Sequence, residues 1–218
     1  MKKIFLPVVA ASALLFSACG EVTTTEEPTT HEEPAVAEPV VATYTVDAAA
    51  STLSWNGYDV AMPEGHFHKG TVAISAGTIT TTDGMVDGGT ITIDMTTVGY
   101  TEGGGQDGPI SSADTAVFSG LLGHIATNEI FNTTAITTAT LTINSCDEAG
   151  IKGTLNVLGT DVEVVIPGMP SLEGDALTHT TDWFDVDLSS AVGFFGTPEG
   201  AEGPAMKLSI KLNLTASK

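Results

Sequence analysis

The side chains with the clearest chemical potential are two histidines in the run Gly65-His66-Phe67-His68. Residues two apart on a β-strand point to the same face, so the two imidazoles would lie side by side. Two such nitrogens can take part in a Zn²⁺ site, but tetrahedral zinc needs at least a third protein ligand. His124 or His179 could supply it only if the fold brought them to the pair. The alternative is that one imidazole forms hydrogen bonds at the end of a β-structure while the other is solvated.

The remaining reactive groups give little support for catalysis. Asp182, Asp185 and Asp187 could suggest a Ca²⁺ site, but the glycine and distal glutamate of an EF-hand loop are missing at the required spacing. The sequence contains no G-x-S-x-G, no H-E-x-x-H and no C-x-x-C motif. We therefore predict that the chain is not an enzyme and that it needs no cofactor.

The charge balance excludes one class of partner. The chain carries 27 acidic residues against seven lysines, it has no arginine, and its net charge is −20. A surface that follows nucleic-acid phosphates needs clustered cations, so we exclude nucleic acid as a partner. The same charge disfavours electrostatic adhesion to anionic lipid head groups.

The N-terminus predicts a compartment. Two lysines precede the apolar run Ile4 to Phe16, which is typical of a signal peptide and too short for a membrane span. Ser17 and Ala18 then precede Cys19, and this arrangement resembles a bacterial lipobox. In that case residues 1–18 are removed and Cys19 carries acyl chains that anchor the protein in a membrane. Each buried CH₂ group would add about 0.8 kcal/mol to the free energy of membrane binding. The alternative is an ordinary signal peptide followed by a chance cysteine.

The expected location is therefore the bacterial cell envelope, lipid-anchored on the periplasmic side or at the outer membrane. Residues 19–42 contain six glutamates, three prolines and no lysine, which predicts an extended, self-repelling tether. The folded domain is predicted to comprise residues 43–218. Cys146 is the only other cysteine. If Cys19 is acylated, Cys146 is the only one left as a thiol, so the mature chain would form no intrachain disulfide.

The folded domain shows the pattern of β-structure. The run Lys69 to Thr97 has apolar side chains at every second position, a period that marks a strand with one buried face. Between its two halves lie Asp83-Gly84 and Asp87-Gly88-Gly89, residues that tolerate the positive φ of tight turns. We therefore predict an antiparallel hairpin here.

The rest of the domain repeats this pattern. Further strands are predicted at 44–46, 51–58, 136–143, 151–158, 162–166, 177–183 and 207–214, with a turn at Gly159-Thr160-Asp161. One helix is predicted from Ala113 to His124, with Val117 and Leu121 on its apolar side. About eight strands with short turns are typical of an all-β fold. We predict a single antiparallel, lipocalin-like β-barrel of about eight strands with one short helix, whose interior holds side chains or one small ligand.

Residue parity then identifies the side chains that face the barrel axis. His68 has the same parity as Val72, so without a bulge at Gly70 its imidazole would face inward and could meet the polar head of a lipid. Each of the apolar candidates could instead pack a filled core. The apolar candidates for the lining are Trp55, Val72, Ile74, Ile91, Ile93, Met95, Leu141, Ile143, Leu155, Val157, Leu208, Ile210 and Leu212.

Several segments resemble one known family. Tyr44-Thr45-Val46-Asp47, followed by Ser51-Thr52-Leu53, is similar to the opening of the YceI-like family of secreted polyisoprenoid-binding proteins. The segment from His124 to Asn132 is similar to the family's H-L-[KR]-S-x-D-F-F-D motif. His124 and Phe131 stand at matching positions, and the resemblance adds them to the candidate ligand-binding residues. The turn after Gly159 departs from the family's V-T-[KR]-P.

The resemblance extends over roughly residues 43–216 and implies a function. The expected function is non-catalytic binding, for storage, transport or sensing, of a long apolar ligand such as a polyisoprenoid or fatty amphiphile. The membrane would be a second partner, through the acyl anchor. Two alternatives stay open, namely a metal-binding barrel that uses His66 and His68, and a structural envelope lipoprotein with a filled core. The sequence also leaves the oligomeric state open, including a homodimer.

Overall fold

The computed structural model describes residues 37–105, 108–110, 115–128, 130–195 and 206–218. The predicted signal peptide, Cys19 and most of the predicted tether lie outside these residues. The compact unit of the chain extends from Glu38 to Lys218. No helix within the described residues is long and apolar enough to span a membrane.

The described part of the chain is built mainly from β-strands. Its strands and helices are β1 Val41–Val46, β2 Thr52–Asp59, β3 Phe67–Thr82, β4 Met85–Gly105, β5 Gly108–Ile110, α1 Thr115–Ile125, β6 Thr138–Asp147, β7 Gly150–Val157, β8 Thr160–Pro167, β9 Ser171–Glu173, β10 Ala176–Thr180, β11 Phe184–Val186, a 3₁₀ helix Gly193–Phe195, and β12 Met206–Ser217.

The strands form one antiparallel sheet that curves into a barrel. Its neighbours run in the order β8, β7, β6, β4, β3, and β3 then pairs with β2 along its first half and with β1 along its second. β12 also pairs with both β1 and β2, so these two are segments of one interrupted strand. β10 and β11 are likewise two segments of one strand along the other side of β12. The barrel therefore has eight main strand positions, and the prediction of an all-β, lipocalin-like fold with one short helix is confirmed.

The hairpin between β3 and β4 turns at Asp83 and Gly84. Their φ angles are +52° and +79°, the conformation that a two-residue type I′ turn requires at both positions. Gly88 and Gly89, which the sequence analysis counted among the turn residues of this hairpin, instead lie inside β4 and pair with Thr80 and Ile79. The register shifts between Thr80 and Thr81, so these residues accompany a bulge rather than a chain reversal.

The hairpin between β7 and β8 turns one residue earlier than predicted. Leu158 and Gly159 have φ angles of +54° and +76°, and Val157 pairs with Thr160 across the turn. The prediction of a turn at Gly159-Thr160-Asp161 is therefore wrong in its bounds, since Thr160 and Asp161 are already in β8.

The barrel interior is fully packed at one end. Ile79, Leu177, Leu214 and Ala216 are completely buried there, and each large side chain among them contributes about 1.5–3 kcal/mol through burial. We call this the filled end.

A second cluster packs at the other end, below α1. Trp55 and Leu208 meet Ile125 from the end of the helix there, and Leu121 is half-buried against them. Val117 is 49% exposed, so the prediction that it lies on the apolar side of the helix is wrong.

Candidate functional site

An apolar cavity of about 120 Å³ remains open between the two packed clusters. Strands β2, β3, β4, β6, β7, β8, β11 and β12 all contribute to its wall, and every lining side chain is apolar. Protein interiors are close-packed and hold few voids larger than a water molecule. A cavity of this size and composition is therefore the feature of the barrel best suited to hold a ligand.

Most of the predicted ligand-binding residues line this cavity. For those on strands the reason is the period of two, which fixes the side chains that face inward, whereas Phe131 lies in a turn after α1. Their role in binding a ligand stays a prediction. They are Trp55, Val72, Ile74, Ile91, Ile93, Met95, Phe131, Leu141, Leu155, Val157, Leu208, Ile210 and Leu212.

Three of the predicted residues lie elsewhere. Ile143 has inward parity but packs in the filled end, beyond the reach of the cavity. His124 is exposed, and its ring lies 6.1 Å from that of Phe194. His68 is half-buried against Tyr100 and does not line the cavity.

The cavity wall also contains residues that the sequence analysis missed. β8 contributes Val164 and Ile166, and β11 contributes Phe184 and Val186. These side chains alternate with outward polar or exposed residues, so the parity rule would have selected them if both strands had been placed beside the cavity. The other missed residues are Leu53, Val98, Ala139 and Leu188.

A polar and aromatic cluster adjoins the cavity on the far side of Trp55. The Trp55 and Tyr100 rings are 6.5 Å apart, and the Tyr100 hydroxyl lies 3.3 Å from His68 Nδ1. The pairing of β3 with β2 is regular here, so His68 keeps the inward parity of Val72, but it pairs opposite Gly57, one inward position beyond Trp55. The indole therefore separates the imidazole from the cavity.

The cluster continues outward from His68. The His66 and His68 rings are 5.6 Å apart and nearly perpendicular, and His66 Nδ1 is 3.6 Å from a carboxylate oxygen of the buried Asp59. Burial lowers the pKa of His68, and the nearby His66 lowers it further. Both causes disfavour the protonated form, so His68 is neutral at neutral pH.

The described residues do not complete a metal site around this pair. No group of three or more His, Cys, Asp or Glu side chains in the described ranges is arranged to hold a metal ion. His124 packs against Phe194, and His179 lies on β10 opposite Leu214. Neither His124 nor His179 thus supplies the third ligand that a zinc site at His66 and His68 would need.

Comparison with known proteins gives the family. A sequence model of the YceI-like domain matches residues 44–214. The crystal structure of Burkholderia cenocepacia BcnA is similar at 18% identity, over 79% of this chain and 99% of that chain, with a TM-score of 0.49. A polyisoprenoid binding domain from Saccharophagus degradans implicated in plant cell wall breakdown is similar at 15% identity, over 80% of this chain and 97% of that chain, also with a TM-score of 0.49. No curated protein matches the chain. Because the domain match spans most of its length, the chain belongs to the YceI-like family.

Proposed function

We propose that the protein binds a polyisoprenoid or fatty amphiphile without catalysis, and stores, transports or senses it in the cell envelope. The observation that carries this proposal is the cavity of about 120 Å³ with only apolar side chains in its wall. A cavity of this kind stays dry and gains free energy when an apolar molecule fills it. Membership of the YceI-like family supports the same class of ligand.

The distribution of charge supports an apolar rather than an ionic guest. The chain has no arginine, and no lysine lines the cavity. Lys69, Lys152, Lys207 and Lys218 each lie within 4 Å of a carboxylate, at distances of 2.5 to 3.7 Å. A phosphate or carboxylate drawn into the cavity would therefore lose its hydration without meeting a cation.

The cell-envelope part of the proposal rests on Cys19 and the small residues before it. Acylation there would hold the barrel close to a membrane, which is the source of the apolar ligand. The stretch 19–40, which precedes β1, would then separate the barrel from the bilayer.

The test is to identify what the barrel holds. Mass spectrometry of lipids extracted from the purified protein should show an apolar chain at up to one molecule per barrel, and the delipidated protein should take up a fluorescent isoprenoid analogue. Ile93→Trp, which places a large side chain in the cavity, is the matched variant and should lose uptake. If no lipid is extracted and wild type takes up no analogue, the proposal fails, and the alternative of a structural lipoprotein with a filled core gains support.

A further inference from the structure

We infer that only the end of the ligand occupies the cavity, while the rest of its chain leaves the barrel sideways between β8 and β11 and lies on the outer surface against Val165 and Trp183. This inference rests on the proposed function, and it adds a second binding subsite outside the barrel.

The first argument is volume. An apolar cavity of about 150 Å³ holds one benzene molecule, which has six carbons. The cavity of about 120 Å³ therefore holds on the order of one five-carbon isoprene unit. A long isoprenoid or fatty chain must place most of its length elsewhere, because the filled end is closely packed around Leu177 and Leu214.

The second argument is the way the barrel closes. We call the boundary between β8 (Thr160–Pro167) and β11 (Phe184–Val186) the seam. Within the described residues no backbone hydrogen bond joins β8 to β11, whereas the other neighbouring strands of the barrel are paired. Beyond β8 the chain continues into β9, and Ser171 pairs with Thr178 of β10. The barrel is thus closed by hydrogen bonds toward the filled end and by side chains alone beside the cavity.

The third argument is that the cavity reaches the seam from both sides. Val164 and Ile166 of β8 line it, as do Phe184 and Val186 of β11. Val164, Phe184 and Val186 are only half-buried. Separating β8 from β11 breaks no ladder hydrogen bond, whereas opening the wall elsewhere would leave backbone groups unpaired. The seam is therefore where the wall opens at least cost.

The fourth argument concerns the outer surface. Val165 is 49% exposed and lies between two lining residues of β8, so it faces outward. Trp183 is 42% exposed and directly precedes the lining residue Phe184. Single exposed apolar side chains are common and need no explanation. Here Val165 lies on β8 and Trp183 directly before β11, where a chain leaving the cavity would cover both side chains and remove their apolar surface from water.

The two tryptophans of the chain allow a direct test, because Trp55 lines the cavity and Trp183 lies outside it. Trp55→Phe and Trp183→Phe each leave one fluorophore. The delipidated variants are titrated with a short prenyl alcohol, geraniol, and a long one, solanesol. Both alcohols should shift the emission of Trp55. Only solanesol should protect Trp183 from quenching by acrylamide.

A second measurement does not depend on the folding of Trp55→Phe. Trp183→Ala should weaken binding of solanesol by about fivefold to tenfold, the loss expected from part of an indole's contact area, and should leave geraniol binding unchanged. Met85→Ala is the matched control, because Met85 is 54% exposed at the turn of the filled end, and it should change neither affinity.

The outcomes separate this inference from the function on which it rests. Suppose that both alcohols shift the emission of Trp55, while solanesol does not protect Trp183 from acrylamide and binds Trp183→Ala as tightly as wild type. The outer subsite is then refuted and the proposed function stands. If neither alcohol binds, the proposed function fails and the inference fails with it.

Discussion

The indole of Trp55 lies directly against the backbone of Gly70. A Cβ atom on Gly70 would come within 2.7 Å of the indole atoms Cε2 and Cζ2 and would also collide with the carbonyl oxygen of Gly99. That same carbonyl accepts a hydrogen bond from Trp55 Nε1 at 3.2 Å. The missing side chain at position 70 thus sets the position of the ring that separates the cavity from the polar cluster around His68.

Gly70→Ala should therefore destabilise the protein and displace Trp55. Because the obstacle includes backbone, we expect a loss of roughly 1–3 kcal/mol, as for other overpacked interiors. Urea unfolding gives the stability, and emission in a Trp183→Phe background reports on the ring. Gly120→Ala is the control, since nothing lies within 4 Å of a Cβ on Gly120 in α1 and alanine favours the helix. A Gly70→Ala protein as stable as wild type, with unchanged emission, would show that the ring does not depend on this contact.

Truncation of two isoleucines should separate the packed core from the cavity. Ile79 is fully buried in the filled end, and Ile79→Ala should cost about 2–5 kcal/mol. Ile93 is half-buried and faces the cavity, so Ile93→Ala should cost clearly less in the delipidated protein. The measurement is urea unfolding of both variants. Equal costs would mean that Ile93 packs a filled core.

Enlarging the same side chain tests the binding role of the cavity. Ile93→Trp should fill the space that a ligand needs, and it should leave the protein folded because the cavity can accept part of the added volume. Binding of a fluorescent isoprenoid analogue should then fall, while thermal unfolding stays close to that of wild type. Unfolding of the variant, or normal uptake by a folded variant, would contradict the assignment of Ile93 to the cavity.

Stability should fall as the pH drops below about 6.5. Burial lowers the pKa of His179, against the opposing effect of the backbone carbonyl groups of Met169 and Pro167. The unfolded chain then binds a proton more readily than the folded one, so this contribution is complete above the unfolded pKa of 6.5 and is lost as the pH falls through the folded pKa. The lowered pKa of His68 acts in the same direction.

The contribution of His179 can be isolated by substitution. The pKa values of Asp147 and Asp187 are lowered from 3.8, so these residues lose their contributions to stability only in stronger acid. A comparison of urea unfolding at pH 7.5 and about pH 5 therefore does not include their effect. His179→Gln should reduce the difference in unfolding free energy between the two pH values, and His179→Gln combined with His68→Gln should reduce it further. A difference as large in His179→Gln as in wild type would remove His179 as a cause.

Cys19→Ser should abolish the predicted acylation. Mass spectrometry of the N-terminal peptide and partitioning into a detergent phase measure the anchor directly. Cys146→Ser is the control, because Cys146 is buried in β6 and its loss should leave the acyl chains in place. Detergent partitioning of Cys19→Ser like that of wild type would refute the lipobox interpretation.

The strands with strict alternation could be predicted from the sequence because their side-chain period does not depend on distant residues. The run from Val72 to Ile74 in β3, the run from Ile91 to Met95 in β4, and β12 are of this kind. Most of the cavity lining follows from their parity and that of β6 and β7. The contribution of Val164 and Phe184 could not be predicted in this way. Their place beside the cavity depends on which strands meet when the barrel closes, and this is decided by contacts between distant parts of the chain.

Local exceptions explain the other differences. The turn between β7 and β8 contains Leu158 at positive φ, which is uncommon for a residue with a bulky side chain. The sequence therefore favoured a turn at Gly159, Thr160 and Asp161, one residue later. The parity of His68 is inward as predicted. The indole ring of Trp55 nevertheless separates His68 from the cavity. Parity gives the direction of a side chain but not the space that a neighbouring ring occupies. Among the α1 side chains whose burial is described, Ile125 near the end of the helix is the buried one, and Val117 is exposed.

The position of β12 between the first and the second-last strand positions of the barrel has a consequence for how the chain folds. Ser51 and Thr215 hydrogen-bond to each other across a sequence separation of 164 residues, and β12 supplies partners to β1, β2, β10 and β11 at once. Contacts between residues so far apart in the sequence form slowly, because closing the long loop between them costs conformational entropy before the contacts stabilise the chain. Until β12 is in place, the edges of β1, β2, β10 and β11 that pair with it are open, and the barrel is not complete. Closure of the barrel is therefore a late and cooperative step, because the last strand, β12, completes the pairing of four other strands.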